Sequence, residues 1–407
     1  MTSTVAWLDT DDDERRRMRE LIAMFRDQGA VDELGLGRIR DTFSNRLFPG
    51  TSVLWNRARY LLFVPWIYIA LEDGGGAPGT AEDRARKLQK RLAKSLNLRH
   101  RAGSGVIGAS GADVRQPPDV ILWAALRDWG IRLDPGRMQQ VRAECVARSL
   151  RRSSLEAEPD GGSPLWHPAV SRLRPRNFPD DVSLELTNDE AAFLRDTVAA
   201  VDALPGSPGA ARADSLLARL VEEGNPGEVQ LPWEHPALGG SPGLREAMRH
   251  AGLFSDAIQG ARLLYAVMVG EARNDDDGFL EDAEADYSSW VTEIVQPRDA
   301  ELDAWAADLR PFWELVTGIN PRIGREVPFV NGWIERVRRD PEGLRSDAAA
   351  RKLILDREHQ AKGATRARLA TDGSVGRDAP AVIPSRLTYR WPQADSIADD
   401  IRAPIWQ

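Results

Sequence analysis

The chain has 407 residues, 42% of them hydrophobic, and 13 tryptophans spread from Trp7 to Trp406; this excludes a disordered polymer and leaves room for more than one packed core. The net charge of −8 hides a division: residues 1–152 hold 26 Lys+Arg against 19 Asp+Glu, residues 153–321 hold 12 against 31, and residues 322–407 hold 16 against 12. A single cysteine, Cys145, excludes an intramolecular disulfide, and the most apolar run (residues 60–71, interrupted by Pro65) falls short of the ~20 apolar residues that a membrane-spanning helix needs.

In chain order, residues 10–29 read as a first helix. Asp11, Asp12, Asp13 and Glu14 stand at its positive end, and Met18, Leu21, Ile22 and Phe25 form one stripe. Acidic residues thus stand where a signal peptide would carry its apolar core. Ile39, Phe43 and Leu47, four apart, predict a short second helix that Pro49-Gly50 ends. Thr51 or Ser52 is expected to cap the next helix, which carries Arg57 and Arg59 ahead of the apolar run. After the glycine-rich residues 74–79, Thr80-Ala81-Glu82-Asp83 reads as a capping box with Asp in place of Glu. The helix that follows to about Leu98 buries Ala85, Leu88 and Leu92 and presents Arg84, Lys87, Lys90, Arg91 and Lys94, joined by Arg86.

Two further helices are expected over residues 117–152, the second capped by Asp134 with Pro135 at its first position. Their spacing permits a winged-helix-like module in this basic part. Residues 153–181 are polar and proline-rich and read as a connection. Thr187-Asn188-Asp189-Glu190 is a full capping box, and a long helix runs through Phe254, Ile258, Ala261, Leu264, Tyr265 and Met268. Helices holding Tyr287, Trp290, Leu302, Trp305, Phe329 and Trp333 follow. Few segments alternate with the period of a strand, and residues 182–186 and 387–391 are the best candidates. The expectation is therefore a mainly α, multi-helical protein with few short strands. It divides into a basic helical domain (1–152), an acidic helical domain (153–321) and a C-terminal extension (322–407).

Catalytic and metal signatures are absent from the sequence. Gly103-Ser104-Gly105-Val106-Ile107-Gly108 matches G-x-G-x-x-G, but a dinucleotide site needs a buried strand before it and a helix after it, and neither is expected here. Asn274-Asp275-Asp276-Asp277-Gly278 fails calcium-loop registration, because Arg273 falls where the first carboxylate ligand belongs. The five histidines have no zinc spacing, and no phosphate-binding G-x-x-x-x-G-K-[ST] loop occurs. No cofactor and no metal are expected. Arginine supplies 49 of the 54 cations, which with the abundant Ala and Gly points to a GC-rich bacterial genome, so arginine content alone says little about nucleic acid.

Leu47-Phe48-Pro49-Gly50-Thr51-Ser52, continued by Arg57-Ala58-Arg59-Tyr60-Leu61-Leu62-Phe63-Val64-Pro65-Trp66-Ile67-Tyr68, resembles an uncharacterised prokaryotic family, a domain of unknown function of about this whole length. The opening AWLD, Trp129-Gly130-Ile131-Arg132 and Tyr389-Arg390-Trp391 share the resemblance more loosely. Such a family implies no catalytic residues. It implies, by gene neighbourhood alone, an accessory role near phage-defence genes.

The function expected from this reading is a non-enzymatic, nucleic-acid-associated component of a bacterial anti-phage or DNA-processing assembly, located in the cytoplasm. Phosphate would be met by Arg84, Lys87, Lys90, Arg91 and Lys94, with Arg57 and Arg59 either pairing with core-edge carboxylates or reaching a ligand. The acidic middle would dock a protein partner, and no membrane is involved. The alternatives are a protein-interaction scaffold without nucleic acid, and a divergent nuclease.

Overall fold

The structure is a computed structural model that describes residues 32–74, 80–101, 103–108, 116–153, 164–201, 214–224, 229–235, 241–273, 278–363, 365–369 and 383–404. The helix expected over residues 10–29 and the acidic residues 274–277 lie outside that set. The described chain is mainly α. Its helices are α1 (Gly37–Leu47), α2 (Tyr60–Asp73), α3 (Ala81–Arg99), α4 (Pro118–Asp128), α5 (Met138–Ser153), α6 (Pro168–Leu173), α7 (Asn188–Ala200), α8 (Leu216–Glu223), α9 (Pro242–Arg273), α10 (Phe279–Ser289), α11 (Asp299–Ala307), α12 (Arg310–Ile319), α13 (Val327–Arg339), α14 (Ala348–Lys362) and α15 (Trp391–Arg402). The chain forms two compact units, each drawn from separated stretches: residues 1–43 with 249–388, and residues 44–248 with 389–407.

Several boundaries follow the capping chemistry of the sequence. Thr80 accepts the Asp83 N–H at the start of α3, and Thr187 and Glu190 close a reciprocal capping box on α7. Two expected caps fall elsewhere. Thr51 donates to the Phe48 carbonyl and Ser52 accepts from the Leu54 N–H, so both serve the turn around Gly50 (φ +73°). The next helix starts only at Tyr60, because the Asp400 carboxylate holds the Ala58 N–H and the Arg57 guanidinium in a turn. Asp134 likewise accepts the Gly136 N–H in a tight turn, and α5 begins later, at Met138.

The two strand candidates are not strands. Residues 182–186 do alternate, with Val182, Leu184 and Leu186 buried, but their backbone is satisfied by side chains: Val182 N–H donates to Ser95 Oγ and Leu184 N–H to His100 Nε2. In residues 387–391, Tyr389 (φ +54°) and Arg390 (φ +71°) leave the extended region, and Trp391 already opens α15. Arg132 and Trp166 form an isolated antiparallel bridge, and no named strand occurs among the described residues.

In the unit that holds residues 44–248, α2 is the central element. Residues 60–68 are all buried, and α3, α4, α5 and α6 pack around them. Each large apolar side chain so buried contributes roughly 1.5–3 kcal/mol relative to exposure. The indole of Trp66 donates to the Val170 carbonyl, and Tyr68 and Arg142 both donate to the buried Asp119 carboxylate. Cys145, on α5, is fully buried beside Glu72, and burial, with that carboxylate, pushes its thiol far above the ordinary range. It is a small core hydrophobe.

In the other unit, residues 251–261 of α9 are buried on every side. Phe43, Phe254 and Phe312 stack in its core. The indoles of Trp290 and Trp333 donate to the successive Asp256 and Ala257 carbonyls, and Trp290 lies so close to Gly260 that a Cβ there would collide with its ring. Buried charges in this unit are answered by partners. Arg298 and Arg386 both reach Asp256, while Tyr265, Lys362 and the N–H groups of Arg368 and Leu369 all donate to Glu358.

Candidate nucleic-acid interface

Helix α3 owes its basic face to sequence spacing. Ala85, Leu92 and Leu96 face the core, so the residues between them turn outward. Lys87, Lys90, Arg91 and Lys94 are exposed, and so is Leu98, at 80%. Positions 87, 90/91, 94 and 98 share one stripe, on which Lys87 and Lys94 are separated by about 10 Å at the usual helical rise. Arg101 follows just beyond the helix, also exposed. Lys87, Lys94 and Arg101 form no ion pair among the described residues.

The other cations of α3 are spoken for. Arg84 is half-buried and donates to the Leu71 carbonyl at 3.0 Å, closing the C-terminus of α2. Arg86 forms an exposed i,i+4 pair with Glu82. Arg91 pairs with Asp180, and Arg99 with Asp181. The stripe expected from sequence therefore separates into one edge bound to carboxylates and one edge facing solvent.

Arg57 and Arg59 belong to the core edge. Arg57 pairs with Asp400 at 2.9 Å and donates to the Ser104 carbonyl. Arg59 is buried, pairs with buried Glu190 at 2.8 Å, donates to the Ser183 carbonyl and lies over the rings of Phe63 and Trp66. Of the two roles open to these arginines in the sequence, the structure gives them carboxylate pairing. The structure does not bring them together with the exposed lysines of α3.

The glycine loop is a packing element here. Gly103, Gly105 and Gly108 all have positive φ, and Ile107 N–H donates to the Tyr60 hydroxyl. A Cβ on Gly105 would collide with Asn56 and Arg57, so glycine is needed for that close approach. Helix α3 leads into this loop, where a dinucleotide fold would have a strand.

Among the described residues, no three His, Cys, Asp or Glu side chains converge as ligands for a metal ion. A shallow cleft lined by Asp32, Glu33, Leu34, Gly37, Arg40 and Arg262 has its acids engaged. Asp32 accepts the Leu36 and Gly37 N–H groups, and Glu33 pairs with Lys362 and Arg368.

The sequence profile of a family of unknown function, DUF6361, matches residues 2–402. The chain belongs to that family. The resemblance first seen at the residues around Pro49-Gly50 thus extends over nearly the whole of this DUF6361 protein. No curated protein and no solved structure matches it. Among the described residues no helix is long and apolar enough to cross a membrane.

Two features of the DUF6361 chain escape sequence reasoning. One is the buried group of Tyr68, Asp119 and Arg142, drawn from three helices, which only tertiary packing assembles. The other is the run of residues 180–185 along α3. The Asp-Asp pair followed by alternating apolar residues was the available signal, but alternation alone reads as a strand.

Proposed function

We propose that this DUF6361 protein is a non-enzymatic nucleic-acid-binding component of an anti-phage or DNA-processing assembly, contacting phosphates through α3. The observation that carries this reading is the solvent-facing edge of α3. There Lys87 and Lys94 stand two turns apart with no carboxylate partner among the described residues, and exposed Lys90 and Arg101 extend the row. Flexible ammonium groups on an exposed helix face exchange condensed counterions for phosphates at little structural cost. The assembly role comes from the resemblance to a family found near defence genes.

The test is binding of the purified protein to short labelled duplexes and single strands of DNA and RNA across a salt series. It compares wild type with Lys87→Glu/Lys94→Glu. The expected result is affinity that falls steeply with salt and is lost in the variant, since two cations set about 1.8 units of the duplex salt slope. Equal binding by the variant, or none by wild type at low salt, overturns the assignment to α3.

A further inference from the structure

The bound edge of α3 is covered by one continuous segment, residues 180–185, and the contacts follow the helix. Asp180 meets Arg91, Val182 N–H donates to Ser95 Oγ, Asp181 meets Arg99, and Leu184 N–H donates to His100 Nε2. Arg91, Ser95 and Arg99 are four apart, so they form a single row on the helix surface. Glu185 lies 3.9 Å from His100 Nδ1, and Arg59 donates to the Ser183 carbonyl at the inner side.

Apolar side chains, and not the acids, hold the segment down. Phe178 packs on Phe63 and Trp66 just before it, Val182, Leu184 and Leu186 are buried along it, and the Thr187–Glu190 capping box ends it. Asp180 and Asp181 remain solvent-facing, with side chains 58% and 63% exposed. Asp181 adopts φ +54°, a left-handed conformation that Asp tolerates better than most residues, and its carboxylate reaches Arg99 from there. Two exposed carboxylates are thus held over two arginines of a row that would otherwise continue the phosphate-facing surface.

We infer that residues 180–185 form a built-in competitor for that surface, with the Asp180 and Asp181 carboxylates occupying Arg91 and Arg99 in place of nucleic-acid phosphates. The inference rests on the proposed function and adds its regulation. The strap confines a bound strand to the Lys87 and Lys94 edge and holds affinity below what the full helix would give. A nucleic acid that enlists the arginines must displace both carboxylates while the apolar anchors stay seated.

The test is Asp180→Asn/Asp181→Asn, which keeps side-chain shape and leaves every apolar anchor in place. A control, Asp196→Asn/Glu222→Gln, makes the same change in net charge at exposed acids elsewhere in the unit. Binding of a labelled duplex is measured for all three proteins across a salt series, and thermal melting checks the fold of each. Freeing two cations steepens the salt slope by about 1.8 units, so over a roughly fourfold fall in salt the strap variant gains about tenfold more affinity than wild type. The same gain follows if wild type is silent and only the strap variant binds. Wild type that binds with an unchanged slope in the strap variant, or an equal gain in the control, overturns the strap and leaves the function standing. Silence in all three overturns both.

Discussion

Two groups of cations in the same unit, thirty residues apart, show how little residue type alone says about role. Arg57 and Arg59 precede the most apolar run of the sequence, and folding places them against Asp400 and Glu190 at its edge. Lys87 and Lys94 lie on a helix whose apolar residues recur every three to four positions, and folding leaves them in water. A cation beside a continuous apolar run is drawn into the core margin and must find a carboxylate, because an unpaired buried charge costs several kcal/mol. A cation on the polar face of an amphipathic helix carries no such obligation and stays available to a partner.

The sharpest way to break this contrast is to remove a buried cation. Arg59→Met leaves Glu190 buried without its counter-charge and is expected to cost about 3–5 kcal/mol in denaturant unfolding. A loss below about 1 kcal/mol would mean that water reaches the pair and that the two groups of cations differ less than their burial indicates.

A buried carboxylate in the other unit extends the contrast to acids. Burial pushes Glu358 up, but the hydrogen bonds from Lys362, the Arg368 N–H, Tyr265 and the Leu369 N–H outweigh it and hold its carboxyl below the ordinary 4.5. A depressed carboxylate stabilises the fold fully above its unfolded value, and that contribution is lost as pH falls through the lower folded value. Glu358→Gln is expected to cost about 1–3 kcal/mol at neutral pH and to flatten the decline of stability below about pH 4.5. An unchanged acid limb of the stability profile would remove Glu358 as its source.

The smallest expected effect on stability belongs to the exposed lysines. Lys87→Glu/Lys94→Glu should unfold within about 0.5 kcal/mol of wild type, in keeping with surface substitutions generally. The same variant should lose salt-sensitive binding. Stability loss well beyond that range would place these lysines with Arg57 and Arg59.

Local chemistry was the legible part of the fold. The α3 and α7 caps, the Ile39–Phe43–Leu47 helix and the long helix through Phe254 and Tyr265 follow from patterns within a few residues of each other. Tertiary pairing was not. The start of α2 depends on Asp400, more than 300 residues away, and no local rule predicts that the chain stays in a turn until Tyr60. Residues 182–186 have the alternation of a strand, yet Ser95 and His100 supply the hydrogen bonds that a neighbouring strand would have given. The charge division was legible as composition, but its local balance required the fold. Glu271, Glu284 and Asp303 of the acidic stretch pair with Arg351, Arg345 and Arg338 of the following basic one. The exposed stripe of α3 was legible because burial follows helical period. Its division into solvent-facing and covered edges was not, because Asp180 and Asp181 arrive from more than 80 residues further along the chain.

Cys145 gives this protein a clock of its own. The thiol is sealed between α5 and α2 and held in its unreactive protonated form, so a thiol reagent can modify it only when that packing opens. With one cysteine in the whole chain, the labelling rate under native conditions reads the opening of this one bundle without any engineered probe. Rates taken with and without nucleic acid would report whether occupancy of α3 steadies the helices beneath it.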